Sequence, residues 1–212
     1  MSRIIDLSWD IVGQMPVFTG DPGVDIITYE KYYQTGYCVS QLIIGTHAGT
    51  HVDAPMHKCE NGKSIDIIPI ESFIGKALIA DFSYLRPGDE ISPGDLTRYE
   101  NDIKKCSIVL LKTNWSEHYG LTDFFNRFPG ISYEAACWLA NQDISLVGFD
   151  SPSVSATEHV KIHEVFFSRD IMIVESLCHL KLIREKFVQF FAVPLKIKGA
   201  DGSPARAFAI ED

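Results

Sequence analysis

The segment 46–57 constrains the fold of this chain most, because polar residues alternate along it with small or apolar ones. An alternation with a period of two is typical of a β-strand. A helix would also bring His47 and His51 together, but Gly49 and Pro55 are unfavourable inside helices. We therefore predict that the segment is extended.

Distances along an extended segment predict which of its side chains can meet. At about 3.3 Å per residue, His51 and Asp53 lie about 6.6 Å apart, so both can bind one cation at about 2 Å. His47 lies about 13 Å from His51 on a straight strand, near the limit that two imidazoles can bridge. We therefore predict a kinked strand end or loop at Gly49, with Pro55 turning the chain again.

The residue types in this segment indicate a metal site. Two imidazoles and a carboxylate are ligands that suit Zn²⁺, Mn²⁺, Fe²⁺ or Co²⁺, and the sequence does not choose among these ions. A lone histidine is usually an ordinary surface or core residue, whereas His47, His51, Asp53 and His57 lie on one predicted strand face. His57 is either a fourth ligand or a general acid or base beside the metal.

Composition limits the classes of partner. The 212 residues fit one domain, 1–212, with 46% hydrophobic and 22% charged residues. A formal net charge of −9 argues against nucleic acid and anionic membranes as partners.

Cysteine usage and hydropathy predict the cell compartment. The five cysteines are scattered and form no Cys-x-x-Cys pair, which favours reduced thiols in a cytosol and argues against a finger-type zinc site. The first residues lack the apolar core of a signal peptide, and no run approaches 18 apolar residues. We predict a cytoplasmic protein.

The pattern along the chain predicts strands mixed with a few helices. The predicted strands are 4–12, 26–33, 37–44, 76–82, 108–113, 144–149, 171–174 and 191–197. Helices are predicted after Ser92 and Ser132, which are N-cap residues, and over 158–167. A turn at 198–202 pairs 192–197 with 206–210 as an antiparallel hairpin. The fold class is α/β, a mixed sheet with flanking helices.

Further metal ligands must come from elsewhere in the chain. Glu175 follows a predicted buried strand, where an unpaired carboxylate is costly unless it binds a cation. The pattern supports equally a strand that simply reaches the surface at Glu175. Among the remaining histidines, it does not separate His163 from His159, and it leaves His118 and His179 open.

A motif in this segment resembles the signature of a known family. The pattern His-x-Gly-Thr-His-x-Asp-x-Pro-x-His over 47–57 is similar to that of the cyclase family of metal-dependent hydrolases, which includes bacterial kynurenine formamidase and isatin hydrolase. The segments 17–21, 148–154 and 203–207 also resemble this family. The resemblance implies a swivelling β/α/β-type domain, a homodimer or higher homo-oligomer, and one or two divalent ions per chain, Zn²⁺ or Mn²⁺.

The resemblance also implies roles for individual residues. His47, His51 and Asp53 match the ligands of a first metal, and Asp53 bridges to a second metal. His163 and Glu175 match the remaining ligands of that second metal. The resemblance also implies that His57 transfers a proton and that Phe18 binds substrate. The formamidase has tryptophan at the position of Phe18.

The resemblance implies hydrolysis of a C–N bond by metal-activated water. The implied partner is a small-molecule substrate, an aryl formamide or a cyclic amide. Phe18 has a smaller ring than tryptophan and no indole N–H, although an aryl substrate can still stack on it. Two alternatives are a metal-dependent lyase or cyclase on the same scaffold and a metal-binding or ligand-binding protein without catalysis.

Overall fold

The computed structural model describes residues 2–211. In chain order, the strands are β1 (Arg3–Asp6), β2 (Asp25–Glu30), β3 (Val39–Ile43), β4 (His51–Asp53), β5 (Ile74–Asp81), β6 (Glu90–Ile91), β7 (Ile108–Lys112), β8 (Gly130–Ile131), β9 (Leu146–Phe149), β10 (Met172–Glu175), β11 (Phe187–Pro194) and β12 (Gly202–Glu211). The α-helices are α1 (Tyr32–Thr35), α2 (Pro93–Thr97), α3 (Glu100–Ile103), α4 (Tyr133–Ala140) and α5 (His159–Phe167). Short 3-10 helices cover Pro55–His57, Ile65–Ile67, Ile70–Phe73, Trp115–His118 and Leu180–Leu182.

Seven of the strands form a closed mixed barrel. The order is β12-β11-β5-β7-β9-β10-β4, and β4 pairs with β12 to close the ring. The neighbouring strands β5, β7, β9 and β10 are parallel to one another. β4, β12 and β11 are antiparallel to their neighbours. β1 pairs with β12 outside the ring. The prediction of a mixed sheet with helices is confirmed, but its closure into a barrel was not predicted.

Alternate side chains of the barrel strands enter two hydrophobic cores. One core contains Val52, Leu110, Val174 and Phe190, and it draws residues from every barrel strand, so it fills the barrel interior. The second core packs the outer face of the parallel strands against α2, α3, α4 and α5. A side chain on β4 or β10 that points away from the interior therefore lies under these helices.

Several predicted elements agree with the structure. The strand predictions 76–82, 108–113, 144–149 and 171–174 are confirmed to within two residues at either end. The predicted C-terminal hairpin is confirmed, since Ala192 pairs with Ala207 in an antiparallel ladder.

The predicted helix starts and the helix 158–167 are also confirmed. The Ser92 and Ser132 side chains accept hydrogen bonds from backbone N–H groups in the first turns of α2 and α4. Helix α5 begins one residue after the predicted start.

Three predicted strands had wrong bounds. The strand predicted over 26–33 ends at Glu30, and helix α1 begins at Tyr32. The strand predicted over 4–12 ends at Asp6, because the Ser8 hydroxyl accepts the Ala207 N–H, while the Leu7 carbonyl accepts the Cys178 N–H instead. The strand predicted over 191–197 begins earlier, at Phe187, and ends at Pro194, after which the Leu195 N–H donates to the Ser203 hydroxyl.

Strands β2 and β3 form a separate two-stranded sheet that leaves the barrel. The predicted strand 37–44 does not continue into the histidine segment, because β3 ends at Ile43 and a turn follows. Almost every residue of both strands is exposed, including Ile27, Tyr29 and Leu42. None of the described helices is long and apolar enough to span a bilayer.

Candidate metal centre

The histidine segment is bent where the sequence predicted. Gly49 has a φ of 63°, a left-handed conformation that favours glycine, and residues 46–50 form turns before β4 begins. Only His51–Asp53 of the predicted extended stretch is a strand, and Pro55 starts a short 3-10 helix. Because Val52 lies in the barrel interior, its two neighbours on β4 point to the outer face, under the helices.

Strand β10 brings a second carboxylate to the same place. Glu175 is paired with His51 across the antiparallel ladder between β10 and β4. Its side chain is buried, and its Oε1 accepts hydrogen bonds from the Ser153 hydroxyl at 3.0 Å and the Val154 N–H at 3.1 Å. The alternative in which the strand surfaces at Glu175 was wrong.

Helix α5 contributes His163, which is 2% exposed. Its Nδ1 lies 2.7 Å from the backbone oxygen of His159, one helical turn earlier, so Nδ1 carries the proton and donates it. The other ring nitrogen, Nε2, lies 3.2 Å from Asp53 Oδ2 and 3.3 Å from Glu175 Oε1.

His51 is held in the same manner. Its Nδ1 lies 2.8 Å from the backbone oxygen of Gly49, and its Nε2 lies 3.2 Å from Asp53 Oδ1 and 3.6 Å from Glu175 Oε2. The bend at Gly49 therefore also supplies the acceptor that orients His51. Both buried imidazoles direct Nε2 at the two carboxylates.

His47 reaches the cluster from the turn before β4. Its Nδ1 lies 2.7 Å from Asp53 Oδ1, and its Nε2 lies 2.8 Å from Asp201 Oδ2. It therefore uses the opposite ring nitrogen from His51 to approach Asp53.

These side chains form two ligand groups that share one carboxylate. Among the described residues, His47, His51 and Asp53 form one group, and Asp53, His163 and Glu175 form the other, with all ligand atoms within 4.8 Å of one another in each group. Asp53 is fully buried and offers one oxygen to each group. Imidazole nitrogens with carboxylate oxygens are a donor set that fits a divalent ion such as Zn²⁺ or Mn²⁺.

The charges of the cluster shift its pKa values in opposite directions. Burial lowers the pKa of His163, but the hydrogen bonds that it donates to Asp53 and Glu175, with the charge of these carboxylates, raise it to about 10. His51 behaves similarly, since its carboxylate neighbours outweigh burial and hold its pKa well above the usual range. Burial raises the pKa of Asp53, yet the imidazoles of His51 and His47 hold it well below its usual range. Both carboxylates are ionised, because the pKa of Glu175 is also lowered.

His57 lies beside the ligand groups, at the end of the short helix Pro55–His57. Its ring centroid is 4.0 Å from that of His47 and 5.6 Å from that of His163. Burial and nearby imidazoles lower the pKa of His57, so its ring is neutral near pH 7. A neutral imidazole next to a cation site can accept a proton.

A pocket opens onto the cluster, and aromatic rings form part of its wall. Phe18 lies on its wall, with ring centroids 6.0 Å from Phe125 and 6.2 Å from His159. Trp9 and Tyr119 also line the pocket, and their stacked rings have centroids 4.2 Å apart. The remaining lining residues near the cluster include His57, Lys58, Ser153 and Ser176.

The structure brings together all of the residues that the sequence selected as ligands. His47, His51, Asp53, His163 and Glu175 form the cluster, with His57 adjacent and Phe18 on the pocket wall. His118 instead stacks on Trp115 at 4.2 Å, and His179 is exposed.

Asp201 was not predicted as a site residue. The sequence placed it only in the hairpin turn 198–202, and its contact with His47 depends on the pairing of β12 with β4. An aspartate directly before a strand that closes a barrel is a weak signal without that pairing.

Residues 5–156 match the family model described as "Putative cyclase", and the chain belongs to this family. It is 30% identical over 216 residues to a kynurenine formamidase of Bordetella petrii, covering 100% of this chain and 99% of that protein.

Two solved structures have the same fold. One is described as a potential metal-dependent hydrolase with cyclase activity, at 28% identity and a TM-score of 0.83, covering 100% of this chain and 99% of the other. The second is isatin hydrolase A of Labrenzia aggregata bound to benzyl benzoate, at 25% identity and a TM-score of 0.87, covering 99% and 93% of the two chains.

Proposed function

We propose that the chain, as one domain over 1–212, is a metal-dependent hydrolase that cleaves a C–N bond of an amide. The observation that supports this most is the pair of ligand groups that share the buried Asp53 and open onto a pocket with aromatic rings on its wall. Relatives along the whole chain are named kynurenine formamidase, and a structural neighbour is an isatin hydrolase. The swivelling β/α/β-type domain that the family resemblance implies is part of the same proposal.

The residues present fit a divalent ion. His47, His51 and Asp53 would hold a first ion, and Asp53, His163 and Glu175 would hold a second, with Zn²⁺ or Mn²⁺ as the expected metal. Such an ion supplies Lewis acidity, which activates water and polarises the scissile carbonyl. Imidazoles oriented by backbone carbonyls need little rearrangement to bind it.

His57 would move the proton in this reaction. It is close to His47, lines the pocket and has a lowered pKa, so its neutral ring can take a proton from water and pass it to the departing nitrogen. Among the described residues it belongs to neither of the two ligand groups that share Asp53, which favours proton transfer over a role as a fourth ligand.

The pocket favours an aryl amide. The rings of Phe18, Phe125, Trp9 and Tyr119 offer flat apolar surfaces on which an aryl formamide or a cyclic amide can pack. The imidazole of His159 beside Phe18 adds a polar edge to this wall.

A homodimer is part of the proposal. The β2–β3 sheet exposes apolar side chains such as Ile26, Tyr29, Val39 and Leu42, and an isolated two-stranded sheet is only marginally stable. A second copy that covers this sheet would stabilise it. The cytoplasmic location stays a prediction from the sequence.

The test combines metal analysis with substrate assays. The purified protein is analysed for bound metal, stripped with a chelator, and assayed with N-formylkynurenine, isatin and simple aryl amides after Zn²⁺ or Mn²⁺ is restored. We expect turnover only with metal, and hydrolysed product by mass spectrometry. Full activity of metal-free protein would contradict the proposal, and a ring-closed or dehydrated product would favour the lyase or cyclase alternative.

A further inference from the structure

We propose that Asp201 is a positioning residue of this metal site, holding His47 in the tautomer that presents Nδ1 to the first ion and orienting His57 beside it. This inference depends on the proposed function, because it assigns a partner to two residues of that site. Asp201 Oδ2 lies 2.8 Å from His47 Nε2 and 3.3 Å from His57 Nδ1. One carboxylate oxygen therefore contacts both rings.

The contact with Asp201 decides which nitrogen of His47 is free. An ionised carboxylate only accepts hydrogen bonds, so the nitrogen facing it carries the proton. Nδ1 also faces a carboxylate, at 2.7 Å from Asp53 Oδ1 inside the first ligand group, and an ion bound there would replace its proton. While Nε2 donates to Asp201, Nδ1 is the nitrogen whose lone pair is available to that ion. A carboxylate behind a metal-binding histidine fixes the ring and raises its basicity.

The same reasoning applies to His57. If His57 donates its Nδ1–H to Asp201, its lone pair is on Nε2, and that nitrogen becomes the base. The ring centroids of His57 and His47 are 4.0 Å apart, so a displacement of the carboxylate would move both rings. Metal binding by His47 and proton transfer by His57 would thus both depend on the position of the Asp201 carboxylate.

Asp201 is held in place by contacts that do not involve the two histidines. Its Oδ1 accepts the Thr46 hydroxyl at 2.9 Å, and its backbone oxygen accepts the Ala54 N–H at 2.9 Å.

Because Gly202 has no side chain, the ring of His47 can pack against the backbone beside Asp201. It pairs with Asp53 in the register of β12 and β4. A Cβ at Gly202 would lie 3.0 Å from His47 Cε1 and 2.8 Å from the backbone oxygen of Val52. The ring of His47 is therefore packed directly against the backbone next to Asp201.

Experiment can distinguish a positioning role of Asp201 from a role as a metal ligand. The ligand atoms of His47, His57 and Asp201 also lie within 4.8 Å of one another, so these three residues could themselves hold a cation. A ligand residue changes how many ions bind at saturation, whereas a positioning residue changes how tightly they bind.

The experiment compares Asp201→Ala, Asp201→Asn and Asp66→Ala with the wild type. Asp66 is the matched control, because it accepts the N–H of Gly199 in the same hairpin turn but contacts no histidine in the described structure. Zn²⁺ affinity is measured by chelator competition, the ion count at saturation by elemental analysis, and kcat and KM on an aryl formamide with saturating metal.

For Asp201→Ala we expect metal affinity to fall about 10-fold to 100-fold with an unchanged ion count. Because His57 also loses its partner, kcat should fall while KM stays near the wild-type value. Asp201→Asn keeps an acceptor and should recover part of both losses, and Asp66→Ala should resemble the wild type. Folding of each variant is checked by thermal melting.

Two outcomes would overturn the inference. An affinity that is unchanged in Asp201→Ala means that the carboxylate does not support His47. The loss of one ion per chain at saturation makes Asp201 a ligand instead. Metal that binds normally to a wild type without amidase activity would refute the proposed function, and the affinity measurement would still decide the role of Asp201.

Discussion

The buried half of the site and its rim orient their imidazoles in different ways. In the buried half, His51 and His163 donate Nδ1–H to backbone oxygens of their own segments. At the rim, His47 and His57 contact a side-chain carboxylate, that of Asp201, which is 38% exposed. The two halves meet at the carboxylate of Asp53.

The difference shows which half can be altered without changing the fold. A backbone oxygen in a turn or helix is fixed by the fold itself, so no single side-chain substitution removes it. A side-chain carboxylate can be removed by one substitution. We therefore expect substitutions in the buried half to abolish metal binding and substitutions at the rim to weaken it or to affect turnover alone.

The largest effect is expected from Asp53→Asn. The carboxylate of Asp53 contacts His47, His51 and His163, and the change removes its charge where both ligand groups meet. We expect metal affinity to fall by more than the roughly 100-fold maximum that is typical of outer-shell partners, with activity lost in parallel. Elemental analysis after gel filtration measures the retained metal.

Asp201→Asn is the matched comparison, because it makes the same chemical change at a carboxylate on the other nitrogen of His47. Similar metal affinities in the Asp53→Asn and Asp201→Asn variants would break the distinction between the two halves. Thermal melting of both proteins would show whether a loss of binding reflects unfolding.

A smaller effect on binding, with a large effect on rate, is expected from His57→Ala. If His57 transfers the proton, kcat should fall about 10²-fold to 10⁴-fold while metal content stays at the wild-type level. Steady-state kinetics with saturating metal and elemental analysis are the measurements.

His179→Ala is the control for this variant, since His179 is an exposed histidine that does not line the pocket. Unchanged turnover in His57→Ala would remove the proton-transfer role and leave the metal ligands unaffected. Loss of metal from that variant would make His57 a ligand.

The sequence predicted the buried half better than the rim. His51 and Asp53 alternate on a three-residue strand, so their common face follows from local geometry, and the bend followed from Gly49. Pattern alone did not choose between His163 and His159, because the choice depends on which residue of α5 faces β10, a property of packing between distant elements. The resemblance to the family made that choice.

The rim and the barrel closure depend on long-range pairing. β4 has three residues and pairs on both sides, with Glu175 opposite His51 on one side and Gly202 opposite Asp53 on the other. No local pattern in so short a strand indicates two partners. Asp201 was missed for that reason, since it reaches His47 only when β12 closes the ring.

The smallest expected signal is a proton release that differs between the two halves. In the metal-free protein at pH 7, His51 and His163 carry protons, because their pKa values are raised, to about 10 for His163. A metal ion needs the lone pairs, so binding should release about two protons from the buried half. His47 at the rim adds up to one more, because burial lowers its pKa but Asp53 raises it further, whereas neutral His57 releases none. Titration calorimetry with Zn²⁺ at pH 7, in buffers of different ionisation enthalpy, measures this number. Release should decrease as the pH rises towards 10, since the histidines then deprotonate before metal binds, and binding without any release at pH 7 would contradict the assigned charge states.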